Sequence, residues 1–206
     1  MTNLFNSWQR LFPGAGLDVG VGAPPPLGFP TAYALSNGGF YTMRSGWDTN
    51  AIMLVLKCGP DGGGHCQPDN GTFELYAFGR PFMADSGSFS YSGDHEGRAW
   101  FRRTASHQTL SLDLANSAYA PRLLHWSTTD ALTVLVVENL SYPNLAHRRT
   151  VFFVERRFFV IVDEALGEAS GDVRVHWQLV PCEPAYDRKA WTVRAALGDK
   201  PGLLLA

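Results

Sequence analysis

Short apolar runs separated by turn residues, rather than long stretches of helical period, set the pattern of this chain. The runs fall at residues 39–44, 51–56, 71–77, 81–84, 109–112, 132–138, 149–154, 158–162, 173–179 and 191–196. They are short, with Gly, Pro, Asn or Asp at many of the turns between them, which predicts strands. Val151-Phe152-Phe153-Val154, then Glu155-Arg156-Arg157, then Phe158-Phe159-Val160-Ile161-Val162 predicts a hairpin. Asn70-Gly71 is a turn signal ahead of another strand. Few stretches carry a helical period, so the expected fold is all-β, an antiparallel β-sandwich. Residues 1–34, rich in Gly and Pro and containing Pro24-Pro25-Pro26, read as a linker or N-terminal extension, and 35–206 as the domain. The closing Leu203-Leu204-Leu205-Ala206 reads as a truncation point as much as a terminus.

Composition narrows the function classes. With 206 residues the chain can bury one core, and its 45% hydrophobic content is that of a globular protein. Charged residues make up only 17% and the net charge is −2, so no global field recruits nucleic acid or acidic polymers. Binding of a polyanion therefore requires a local basic patch. Cys58, Cys66 and Cys182 are scattered and odd in number, which argues against a disulfide framework. No signal peptide is visible, and no apolar run approaches the ~20 residues of a membrane span.

The chemistry-bearing residues cluster around Asp61-Gly62-Gly63-Gly64-His65-Cys66-Gln67-Pro68-Asp69. A plain turn needs none of His65, Cys66, Gln67 or Asp69. His65 could be a surface turn residue or a reactive imidazole. Gln67 shares its face in an extended segment, whereas Cys66 points the other way and reads best as a small buried hydrophobe. Asp85 ends the run at 81–84, and His107 precedes the strand at 109–112. Imidazole and carboxylate together suit a divalent ion, yet no compact zinc signature is present, so spacing alone does not establish a site. Arg98, Arg102 and Arg103, interleaved with Trp100 and Phe101, read either as a solvated strand edge or loop or as forks for carboxylate or sulfate. Tyr91 could be a turn residue or an acid/base phenol. His147-Arg148-Arg149 and Arg156-Arg157 flank strands and read as structural, solvated positions. His95, His125 and His176 belong to no motif. No GxSxG, Walker A or dinucleotide fingerprint occurs.

Several spaced segments, in order, carry a resemblance. They are Ser45-Gly46-Trp47-Asp48, then Gly64-His65-Cys66-Gln67-Pro68-Asp69-Asn70-Gly71-Thr72-Phe73-Glu74-Leu75, then Asp85-Ser86-Gly87, then Arg98-Ala99-Trp100-Phe101-Arg102 and Thr104-Ala105-Ser106-His107-Gln108-Thr109-Leu110. His147-Arg148-Arg149-Thr150 and Ile161-Val162-Asp163-Glu164 follow. From about residue 35 onward the chain resembles the C-terminal β-domain of the heparinase II/III-like polysaccharide lyases, nearest the heparinase III (heparan-sulfate) type.

That resemblance implies a super-sandwich packed in the family against an N-terminal α/α toroid, with the substrate cleft between them. Too few residues precede the first matching strand to hold that toroid, so it is expected to be lacking here, or supplied by a partner chain. The implied reaction is β-elimination at a uronic acid of an acidic polysaccharide. By the resemblance His65 is catalytic, with Tyr91 as a looser match. Gln67, Asp85 and His107 match the metal positions, and the ion is expected to be structural. Gln67 stands where heparinase II carries a histidine, which leaves zinc and calcium both open. Arg98 and Arg102 are candidates for substrate binding. Periplasmic or secreted location is the family expectation, with no nucleic-acid or membrane partner. A non-catalytic carbohydrate-binding or structural module, or a fragment of an alginate or other polyuronate lyase, are the alternatives.

Overall fold

The computed structural model describes residues 28–197 and 200–205. Most of the expected linker, residues 1–27, and the final Ala206 lie outside the described residues. The first sheet is a five-stranded antiparallel meander of β1 (Ala32–Leu35), β2 (Phe40–Arg44), β3 (Met53–Lys57), β4 (Phe73–Ala77) and β5 (Arg80–Met83). The second runs in the order β10 (Phe158–Gly167), β9 (Leu145–Val154), β8 (Leu132–Tyr142), β7 (Pro121–Thr128). β6 (Leu110–Leu112) pairs with β11 (Val173–Val175), and β12 (Glu183–Asp187), β13 (Thr192–Leu197) and β14 (Lys200–Leu205) form a small third sheet. β1 starts at Ala32, so pairing begins inside the segment read as linker.

The sandwich arises because alternate side chains of each sheet are apolar and face one another. Tyr41, Met43, Leu54, Leu56 and Phe73 of the first sheet meet Leu135, Val137, Val151 and Phe153 of the second in one buried cluster. The expected hairpin forms: Phe158 pairs with Val154, and the three-residue connection places Glu155 and Arg156 in left-handed backbone at φ 49° and 56°. The Asn70-Gly71 turn also forms. Thr72 N–H donates to Asp69 O at 2.8 Å, and Gly71 takes φ 91°, a conformation that favours glycine.

Four elements depart from the sequence expectation. Residues 95–102 form a helix, α1 (His95–Arg102), where a strand edge or loop was expected for the basic-aromatic run. Asp94 caps it, its side chain accepting from Gly97 N–H at 2.7 Å, and Arg102 in the last turn complements the helix dipole. β7 and β12 escaped detection because β7 begins at a proline and both are mostly exposed, leaving little apolar alternation to read. The predicted strand at 173–179 shrinks to β11.

Candidate functional site

His107 closes the 3₁₀ turn Thr104–Ser106 that follows α1 and leads into β6, and it is 0% exposed. Its Nδ1 lies 2.7 Å from Asp85 Oδ2, just past β5. The other Asp85 oxygen accepts Gly87 N–H at 2.7 Å. Asp69, buried in the turn before β4, completes the group. One ligand atom from each of Asp69, Asp85 and His107 lies within 4.8 Å of the others. Lys57 on β3 pairs through Nζ with Asp69 and donates to Gln67 O at 3.3 Å. Burial pushes the Asp69 carboxyl above its ordinary range against the pull of Lys57. Burial acts the same way on Asp85, but the His107 hydrogen bond and charge, the Gly87 N–H and Lys57 together hold that carboxyl below its ordinary value.

Three polar atoms of these segments lack any hydrogen bond although buried: His107 Nε2, Gln67 Oε1 and, on the residue after His107, Gln108 Oε1. Buried polar groups are normally paired, so unpartnered atoms on His107, which is bonded to Asp85, and on Gln67, two positions from Asp69, are what a cation site leaves behind. A neutral His107 that gives Nδ1–H to Asp85 keeps a lone pair on Nε2 for a metal. The donor set of imidazole, carboxylate and amide oxygen is one that binds divalent ions. The residues therefore fit a divalent ion. Of the expected set Gln67, Asp85 and His107, the fold joins Asp85 to His107 directly and adds Asp69. Asp69 had a legible signal: it lies two positions from Gln67, the same spacing that pairs Gln67 with His65.

His65 is exposed on the loop that precedes this cluster. The glycine-rich approach is fastened at several points. Cys66 N–H donates to Gly63 O at 2.9 Å, and Cys66 Sγ accepts Gly62 N–H at 2.9 Å. Arg102 reaches across from α1 and donates to Gly64 O at 3.2 Å and Cys66 O at 2.6 Å. Tyr91 is 74% exposed, with its ring centroid 6.0 Å from that of His65. The Arg98 guanidinium lies 5.1 Å from the Tyr91 ring centre while donating to Ser88 O at 3.2 Å and to Ser90 O. Arg98 and Arg102, expected as substrate forks, thus brace the two loops that carry Tyr91 and His65. Tyr119, unremarked in the sequence, belongs to the same neighbourhood. Burial and the nearby acidic groups Asp69, Asp61 and Cys66 push its phenol up to about 12.

A second cluster differs from the expectation of solvated positions at 147–149. Arg149 is 1% exposed and His147 2%, so neither is solvated. In β9 they occupy the core-facing positions of the alternation that continues through Val151 and Phe153. Arg149 Nε and Nη2 donate to the two Asp163 oxygens at 2.7 and 2.9 Å, and His147 Nε2 lies 2.7 Å from Asp163 Oδ1. Arg149 Nη1 donates to Gly71 O and Gln108 O, both at 2.6 Å. It therefore ties the residue after Asn70 to the residue after His107, which holds the two metal-capable segments at a set separation. A side chain at Gly71 would meet His147 Cε1 at 3.0 Å. Arg156 is paired with Asp130 at 2.9 Å, and the Arg157 guanidinium reaches Glu155 at 3.9 Å, so those two fit the structural reading.

None of His65, Asp85 or His107 lines the apolar cavity of about 510 Å³ between β4, β5 and β10. The site is a set of braced surface loops over buried Asp69 and His107. An antiparallel sandwich carrying a histidine loop above a buried acid-histidine group defines the class. The chain belongs to the heparinase II/III-like C-terminal domain family, whose model matches residues 30–204. It is 43% identical over 212 residues to the heparin-sulfate lyase of Pedobacter heparinus, covering 98% of this chain and 32% of that protein. It is 38% identical over 200 residues to the heparin-sulfate lyase of Bacteroides stercoris, covering 93% and 30%. The crystal structure of the Pedobacter heparinus heparan sulfate lyase superposes with a TM-score of 0.84 at 44% identity, covering 97% of this chain and 33% of that one. The chain thus spans about a third of the length of these relatives. Among the described residues no helix is long and apolar enough to cross a membrane.

Proposed function

We propose that this chain is the β-sandwich part of a polysaccharide lyase that cleaves a uronic-acid-containing glycosaminoglycan of heparan-sulfate type by β-elimination. The observation that supports it is the 44% identity, across 97% of the chain, with a heparan sulfate lyase. In the elimination a base takes the C5 proton of the uronate. The C–H electron pair becomes the C4–C5 double bond, and the 4-linked oxygen leaves with its bonding pair and takes up a proton. The exposed His65 imidazole exchanges a proton with substrate, and the Tyr91 hydroxyl beside it is a second transfer group. Charge developing on the uronate carboxylate must be met by fixed donors and cations. Arg98 and Arg102 supply positive charge at the edge of the site while positioning the two loops. The remaining catalytic donors come from a helical toroid, in the same polypeptide or in a partner chain. Gln67, Asp69, Asp85 and His107 hold a divalent ion, zinc or calcium. Bound by these residues, a divalent ion would supply the positive charge that steadies the segment after His65. The enzyme works on polysaccharide in the periplasm or outside the cell.

Alginate or another polyuronate is the competing substrate. A carbohydrate-binding module without catalysis is a second reading. Absorbance of unsaturated uronate, followed with heparan sulfate, heparin and alginate, separates these. A rise on heparan sulfate, by the chain alone or with a helical partner, and its loss in His65→Ala, is the expected result. A flat trace on every substrate with the partner present overturns the lyase reading. Stoichiometric divalent metal and a lowered melting temperature in Asp85→Asn are expected for the ion. Absence of both removes it.

A further inference from the structure

Beside His65, a short stretch presents aromatic faces that the elimination chemistry leaves unused. Phe89 is 57% exposed and Trp100 48%. Both rings are held firmly. Phe89 stacks on Phe101 with centroids 5.0 Å apart and planes 13° from parallel. Trp100 meets Phe101 edge-on at 4.9 Å. The Arg103 guanidinium lies 5.0 Å from the Trp100 ring centre. Phe89 adopts left-handed backbone at φ 61°, a conformation costly for a bulky residue and commonest where function fixes it. Gly97 on α1 makes room for that ring, since a Cβ there would lie 2.9 Å from Phe89 Cε1.

Charge points to the occupant. Among the described residues, Arg98, Arg102 and Arg103 form no ion pair with any carboxylate. Arg103 Nε is buried and makes no hydrogen bond. The neighbouring Asp94 is engaged as the cap of α1. Three guanidiniums without a carboxylate partner, of which Arg98 and Arg102 also hold backbone carbonyls, lie among rigid aromatic faces and complement a polymer whose sugar rings have apolar faces and whose substituents are anionic. The patch is continuous with the candidate site, because Tyr91 bridges Arg98 and His65. Rings already locked in place lose little freedom on binding.

We propose that Phe89, Trp100 and Arg103 form a sugar-binding subsite continuous with His65, in which a ring of the acidic polysaccharide lies on the aromatic faces and its carboxylate or sulfate meets Arg103. This rests on the reading of the chain as part of a polyuronate lyase and adds how the polymer is gripped beyond the bond that breaks.

The test is calorimetric titration of the 206-residue chain with an unsulfated glucuronate–N-acetylglucosamine hexasaccharide, its N-sulfated form and a neutral glucose hexasaccharide. The acidic probes are expected to bind and the neutral one to bind far more weakly. Trp100→Ala and Arg103→Met should each weaken acidic-probe binding roughly tenfold. Trp100→Tyr should retain most of it, which guards against a mere folding defect. Tyr186→Ala, an exposed aromatic on β12, should match the wild type. Unchanged affinity in both Trp100→Ala and Arg103→Met, or no binding by the wild-type chain, overturns the subsite. The lyase reading is judged separately, by uronate absorbance and His65→Ala. If Trp100→Ala instead abolishes association with a helical partner and leaves sugar affinity intact, the patch is a domain interface and the subsite is wrong.

Discussion

Two clusters of histidine, arginine and carboxylate occupy this sandwich, and burial separates their roles. Around Arg149 the groups are enclosed between the sheets, and four hydrogen bonds run from Arg149 to Asp163, Gly71 and Gln108. Such a knot has little capacity left for a ligand and acts as a brace. Around His65 the imidazole is exposed, the arginines hold backbone carbonyls rather than acids, and His107 Nε2 and Gln67 Oε1 lack partners. The outer cluster is held in place by the fold yet chemically unsatisfied, which is the condition for binding. The two are connected, since Arg149 fastens the segments on which Asp69 and His107 are carried.

Breaking the inner knot should have the largest effect. Arg149→Met leaves Asp163 and two backbone carbonyls buried without their partner, and about 3–5 kcal/mol of stability should be lost. Denaturant melts check this; a loss below about 1 kcal/mol would show that the knot is no brace. His65→Ala should do the reverse. Turnover by the assembled enzyme should fall at least ~100-fold, while stability stays within about 0.5 kcal/mol of the wild type. Parallel losses of activity and stability would erase the distinction between the clusters.

The pH dependence sharpens it further. Burial raises the Asp163 carboxyl, but the hydrogen bonds of His147 and Arg149 and their charges prevail and bring it from 3.8 to about 2. A carboxyl depressed in the folded state contributes stability that is present above its unfolded value and lost as the pH falls through the folded one. Roughly 2 kcal/mol should therefore disappear between about pH 4 and pH 2. In Asp163→Asn this acid limb should flatten; an unchanged limb would place the titration elsewhere. The smallest effect concerns the outer brace. Arg102→Ala should cost about 1 kcal/mol, and amide exchange should quicken at Gly64 and Cys66 with β8 and β9 unaffected. Uniform quickening would mean that Arg102 serves the whole fold rather than the His65 loop.

Much of the strand pattern was legible locally. The β9–β10 hairpin, the strands β2 to β4 and the Asn70-Gly71 turn depend on period-two alternation and turn residues, which a chain displays in its own order. α1 was hidden because its eight residues span little more than two turns, too few to display a helical period. His147 and Arg149 were misread because charge suggested solvent, although the alternation through Val151 and Phe153 already put them on the inner face.

What the sequence determined alone is the all-β class, the turn before β4 and, through the order of its motifs, the family and the candidacy of His65, Asp85 and His107. The tertiary structure decided which polar side chains are enclosed. It brought Arg149 to Gly71 and Gln108 across 78 and 41 positions of chain, placed Asp69 beside Asp85 and His107, and turned Arg98 and Arg102 inward to brace loops. Periodicity is a property of neighbours along a strand, whereas burial and partnership depend on which sheet comes to lie opposite, and only the packed sandwich settles that.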